Sequence, residues 1–113
     1  MPTFKQGDVV KVPFPYTDRS TRQYRPALVV SAGALQATHG LLWVLMVTSA
    51  ENRGWPGDVG VSNLAAAGLP VPSVIRTAKI ATIEAADATK LGRVSRAPLK
   101  QAMSSVRREF DLP

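Results

Sequence analysis

Residues 26–48 read PALVVSAGALQATHGLLWVLMVT, and this stretch decides the fold. Its first part, 26–31, is a continuous apolar and β-branched run, and its last part, 41–48, is another. Such runs suit strands buried on both faces. Between them, residues 34–37 read as one short helical turn that ends near Gly40.

Working toward the N-terminus, Gly7-Asp8 reads as a turn that opens a first strand over 9–14. Val10, Val12 and Phe14 alternate with Val9, Lys11 and Pro13, so one face is apolar and the other mixed. Pro13 and Pro15 place this strand at an edge or near its own end, because proline cannot donate to a ladder. Residues 16–24, YTDRSTRQY, are polar and charged and read as a loop.

Toward the C-terminus, residues 50–58 form a second polar loop, with Gly54, Trp55, Pro56 and Gly57 as turn signals. A short strand is expected over 59–62 and loop over 64–72. Residues 73–77 and 79–83 read as one long strand or two consecutive ones. A final helix is capped by Ser95, with Pro98 tolerated in its first turn. Leu99, Ala102, Met103, Val106 and Phe110 share one helical face, which packs on a sheet. Lys100, Arg107 and Arg108 occupy the other faces. The pattern predicts a mainly β fold: a small, strongly curved antiparallel sheet or half-open barrel with a C-terminal helix. The 113 residues suit a single domain spanning 1–113.

Composition removes many chemistries. The chain has no cysteine, so disulfides, thiolate nucleophiles and cysteine metal sites are out, which fits a reducing compartment. Its N-terminus has no basic segment followed by an apolar run, and the longest apolar stretch, 41–47, is too short for a bilayer. A cytoplasmic location without membrane attachment is therefore expected. Neither a GxxxxGK[ST] loop nor a GxGxxG turn is present. The one histidine, His39, sits beside Gly40 in an expected turn, so a Ser-His-Asp triad or a histidine-rich metal site is not signalled. The acids are scattered, with no pair that suggests a two-metal or glycosidase site. No metal and no cofactor is expected. The net charge of +6 favours a polyanionic partner.

What remains is a set of cations beside hydroxyls at strand ends. Arg25 opens the second strand, Thr48 and Ser49 close the third, and Arg76 and Lys79 lie in the later strand region. Arginine holds a phosphate by two parallel donors and keeps its charge at any working pH. A strand-end arginine near a strand-end threonine suits metal-free phosphoryl chemistry.

These residues carry a family resemblance. GDVVKVPFPYTD, then RPALVVS, then WVLMVTS resemble the N-terminal half of MazF/PemK toxins. GLPVPSVIRTAKIATIE resembles the segment that crosses back through their sheet, and LGRVSRAPLKQAMSSVRREF their closing helix. The resemblance covers nearly the whole chain in the right order. It implies a small half-open barrel of the toxin fold, a homodimer, and metal-independent cleavage of single-stranded RNA. It also implies a cognate antitoxin whose acidic tail occupies the RNA groove. By position it makes Arg25 and Thr48 the chief catalytic candidates. Arg25 would stabilise charge on the phosphoryl oxygens during attack by the ribose 2′-OH and pass a proton to the leaving 5′ oxygen. Thr48 would hold a non-bridging oxygen.

There are departures. Some PemK-branch members carry a catalytic arginine at the place of Arg76 and an acid two residues later, where this chain has Ala78. The loop before Arg25 reads Ser20-Thr21-Arg22-Gln23-Tyr24, in which only Gln23 matches a frequent family pattern. Around the candidate pair, Ser49, Gln23, Arg76 and Lys79 are expected to touch RNA, and Arg19, Arg22 and Arg53 to steer its backbone. Trp55 either stacks on an unpaired base, worth roughly 1–3 kcal/mol, or pins its loop to the core. Two other readings share the pattern: a toxin of this fold that inhibits DNA gyrase by binding, and a non-catalytic nucleic-acid-binding member.

Overall fold

The computed structural model describes residues 2–14 and 23–112. Six strands form one antiparallel sheet in the order β4-β5-β3-β2-β1-β6. They are β1 (Asp8–Phe14), β2 (Gln23–Val29), β3 (Leu41–Ser49), β4 (Val59–Gly60), β5 (Ser73–Glu84) and β6 (Thr89–Arg93). Three helices join them: α1 (Gly33–His39), α2 (Leu64–Ala67) and α3 (Arg96–Glu109).

The apolar runs at 26–31 and 41–48 do lie between two cores. Ala27, Val29, Val44 and Met46 join Phe4 and Val10 on one face. Leu28, Val30, Leu45 and Val47 join Ile75 and Ala102 on the other, where Leu99, Met103 and Val106 of α3 pack. Period-two alternation carried through two neighbouring central strands thus builds a core on each side. Trp43 breaks the pattern: it belongs to β3 but is 46 % exposed.

The Gly7-Asp8 turn is a structural clamp. Gly7 has φ +95°, its N–H donates to the Val29 carbonyl, and its own carbonyl accepts from Val94. Asp8 is buried and accepts from Arg93 Nη1 at 2.7 Å and from the Lys5 N–H at 2.9 Å, tying the start of β1 to the end of β6.

Closure of the barrel comes from elements not expected. β6 is an edge strand with Leu91 as its only large apolar residue, and α2 lies where loop was expected. α2 follows β4, at one edge of the sheet, and packs on β6, at the other. The contact is backbone on backbone. A Cβ at Gly92 would lie 2.3 Å from the Ala66 carbonyl oxygen, and one at Gly68 (φ +71°) 2.1 Å from that of Leu91. Gly92→Ala is therefore expected to push the two edges apart and to destabilise by at least about 1–3 kcal/mol, in the range of overpacked sites. Urea unfolding should show a lower midpoint; an unchanged midpoint would contradict this contact.

Other differences are local. β2 starts at Gln23, so Arg25 is its third residue and does not open it. β1 is not an edge strand, since β6 pairs with it, but that pairing stops at Lys11–Thr89, before Pro13. Residues 73–84 form one strand, interrupted by a register shift. The short strand is only Val59–Gly60. Ser95 is the N-cap of α3 without a capping side-chain bond, and its hydroxyl lies 3.3 Å from that of Ser62. Phe110 falls at the C-cap and is 62 % exposed, outside the packed stripe.

Candidate active site

β2 and β3 pair antiparallel through Val29–Val44, Leu28–Leu45 and Ala27–Met46. The ladder ends there, at Pro26, which has no N–H to give. Arg25 and Thr48 each lie two residues beyond that last pair. Both belong to the face of Val12 and Met46: Arg25 pairs with Val12, and Thr48 is two residues beyond Met46. Arg76 of β5 pairs with Met46 and joins them on that face.

Each of the three is held differently. Arg25 is half-buried, and its Nη2 donates to Gln23 Oε1 at 2.9 Å. Thr48 is buried, and its Oγ1 accepts from Asn52 Nδ2 at 3.1 Å. Arg76 is buried against Asp58: Nε donates to Oδ1 at 3.2 Å and Nη2 to Oδ2 at 2.9 Å. Nη2 also donates to the main-chain carbonyl of Asn52.

The segment after β3 supplies these partners. Ser49 Oγ accepts from the Glu51 N–H at 3.3 Å and so starts a single 3-10 turn over Ala50–Asn52. That turn brings Asn52 back over Thr48. A second turn over 55–58 is closed by Asp58, whose N–H donates to the Trp55 carbonyl and whose Oδ2 accepts from the Trp55 N–H. β4 pairs with β5 through Val59–Ile75, so Asp58, one residue before, comes level with Arg76. Thr48, Asn52, Arg76 and Asp58 thus form one connected network.

Trp55 completes it. Its ring carries the Arg76 guanidinium at 4.4 Å and the Lys79 ammonium at 5.6 Å from its centroid. A ring faced by two cations is a cation–π arrangement. Trp55 is therefore fixed to Arg76 rather than to the apolar core, and 45 % of it remains exposed. Lys79 reaches it because three residues, Thr77 to Lys79, bulge from β5 between the pairs Met46–Arg76 and Leu45–Ile80. Bulges re-aim side chains in this way.

Burial raises the Asp58 carboxyl, but hydrogen bonds and charge from Arg76, with the N–H groups of Trp55 and Gly54, hold it below its ordinary range. A depressed carboxyl pKa gives stability that is complete above the unfolded value, near 3.8, and is lost as pH falls through the lower folded value. The thermal midpoint is expected to drop on acidification below about pH 4, with a shallower drop in Asp58→Asn. Equal slopes for the two proteins would contradict this assignment.

The remaining expected residues are spread around this centre. Gln23 is exposed beside Arg25. Arg53 is exposed and donates to the Ala50 carbonyl of its own loop at 3.2 Å. Arg19 and Arg22 lie outside the described residues. Asn52 and Asp58 were not singled out from the sequence. Among the described residues, no cluster of three His, Cys, Asp or Glu side chains is arranged to hold a metal ion. Among them also, no helix is long and apolar enough to cross a membrane.

The family model for the PemK-like, MazF-like toxins of type II toxin–antitoxin systems matches residues 5–110. The chain belongs to this family. No curated protein matches its sequence. Among solved structures, MazF from Deinococcus radiodurans matches with a TM-score of 0.82 at 21 % identity, covering 99 % of this chain and 100 % of that one. The MazE–MazF structure from the same organism gives 0.78 at 21 % identity, with full coverage of both chains. An endoribonuclease in complex with its cognate antitoxin, from a mycobacterial species, gives 0.76 at 18 % identity, covering 100 % and 98 %. At these identities the likeness establishes the half-open MazF/PemK barrel. Within that barrel, the acid beside Arg76 comes from Asp58, on the segment before β4, rather than from the place two residues after it.

Proposed function

We propose that this MazF/PemK-family chain is a metal-independent endoribonuclease that cuts single-stranded RNA through its 2′-OH. The observation that carries the reading is that Arg25 and Thr48 lie on one face of the sheet, each two residues beyond the last β2–β3 pair, Ala27–Met46. The 2′ oxygen attacks the adjacent phosphorus, the bond to the 5′ oxygen breaks, and negative charge grows on the non-bridging oxygens. Arg25 stabilises that charge and delivers a proton to the departing 5′ oxygen, the proton of the 2′-OH passes to solvent water, and solvent water restores the Arg25 guanidinium, while the Thr48 hydroxyl donates to a non-bridging oxygen. The products are a 2′,3′-cyclic phosphate and a 5′-hydroxyl. Lys79 and Trp55 offer charge and an aromatic face for RNA beside the reacting phosphate, with Arg76 buried against the Trp55 ring and holding it in place. Ser49, Gln23 and Arg53 line its approach; Arg19 and Arg22, outside the described residues, are proposed from the sequence to steer its backbone.

The partner in this reading is a cognate antitoxin, a pairing supported by relatives solved in complex with theirs; its acidic segment competes with RNA for the cations of the site. A homodimer fits the apolar patch of Trp43, Ile80 and Phe110, which flanks a cavity of about 330 Å³. Incubation with a long single-stranded RNA and with DNA of the same sequence tests the chemistry. The RNA should be cut and the DNA left intact, because only RNA carries the nucleophile. Cleavage of both would overturn the mechanism.

A further inference from the structure

We propose that Asn52 is a positioning residue that fixes which way the Thr48 hydroxyl donates; this rests on the ribonuclease reading above. A threonine hydroxyl has one proton and two lone pairs, and it turns to suit its partners. In this structure Asn52 Nδ2 donates to Thr48 Oγ1 at 3.1 Å. The bond fills an acceptor position of Oγ1, so the hydroxyl proton must point to some other acceptor. On the face shared with Arg25, that acceptor is a phosphoryl oxygen of bound RNA. Thr48 is only 8 % exposed, and a hydrogen bond in such a poorly hydrated place is stronger than one in water.

Asn52 is held for this task by its main chain rather than its side chain. Arg76 Nη2 donates to the Asn52 carbonyl, and Arg76 is itself clamped by Asp58. The 3-10 turn capped by Ser49 sets the distance back to Thr48. The path from Asp58 through Arg76 and Asn52 to Thr48 thus gives the buried ion pair a role in aiming one proton. Asn52 itself is exposed, so its side chain can be changed without opening the core.

Asn52→Asp is the discriminating variant, since a carboxylate of the same shape accepts from Thr48 where the amide donated. Asn52→Ala removes the donor without adding charge. The experiment compares kcat and KM for RNA cleavage by wild type, both variants, Thr48→Ala, and each pair combined. The expected loss is about tenfold in kcat for either Asn52 variant, with KM nearly unchanged, the scale of one lost hydrogen bond made in the transition state. In the Thr48→Ala background neither Asn52 change should cost more, because the group it aims is gone. Wild-type kcat in both Asn52 variants, or an equal loss with and without Thr48, would overturn the proposal. Wild type that cuts no RNA would instead overturn the ribonuclease reading and this inference with it.

Discussion

Arg25→Ala is expected to lower kcat/KM for RNA cleavage by about 10²–10³-fold, the range measured when one preorganised donor to a developing oxyanion is removed. The fold should survive, because Arg25 is half-buried and neither apolar core includes it. Arg25→Lys is expected to recover little. Lysine keeps the charge but presents no planar pair of donors to two oxygens. Circular dichroism and the thermal midpoint of both variants should match wild type. Activity within threefold of wild type in Arg25→Ala would remove Arg25 from the reacting centre.

The second large effect is on stability. Asp58→Ala leaves the Arg76 guanidinium buried without its carboxylate, a change that costs about 3–5 kcal/mol in comparable buried pairs. For a domain of this size that lowers the thermal midpoint by on the order of 15 °C. Removing both charges is a different matter. Asp58→Ala combined with Arg76→Met leaves no uncompensated ion, and the double variant is expected to regain much of the loss. It should nevertheless cut RNA poorly, since Asn52 then lacks the Arg76 contact that steadies its turn. A single Asp58→Ala variant melting within a few degrees of wild type would contradict the buried pair as a structural clamp.

The central strands were legible because their pattern leaves few solutions. Runs such as 26–31 and 41–48 bury side chains in two directions, and few structures other than a sheet covered on both faces allow that. The closing helix was legible through its single apolar stripe, in which Leu99, Met103 and Val106 pack on one core. β6 was not, because an edge strand that exposes Thr89, Lys90 and Arg93 leaves no period to read. α2 carried quieter signals. Asn63 caps it by accepting from the Ala66 N–H, and Gly68 ends it in the left-handed region. Four residues of helix gave those caps no apolar stripe to bracket.

The site divides in the same way. Arg25 and Thr48 come from the family resemblance, and in the structure both lie on one face, just past the last pair of β2 and β3. The partner of Arg76 could not be placed. The family pattern puts an acid two residues along the strand, where Ala78 stands, but Asp58 reaches Arg76 across the β4–β5 pairing from 18 residues earlier. A two-residue strand leaves no pattern from which that register could be predicted. The sequence alone leaves Trp55 open between base stacking and anchoring to the core. Its ring lies against Arg76 and Lys79 instead, since the β5 bulge turns Lys79 toward it.

The most direct test of the ribonuclease account is incubation of the purified, antitoxin-free protein with a long single-stranded RNA in EDTA, with both new ends identified chemically. The account predicts cuts at a recurring short motif that leave a 2′,3′-cyclic phosphate and a 5′-hydroxyl, and that disappear in Arg25→Ala. An intact RNA in the presence of folded protein, or cuts that leave a 5′-phosphate, would contradict it and turn attention to gyrase binding.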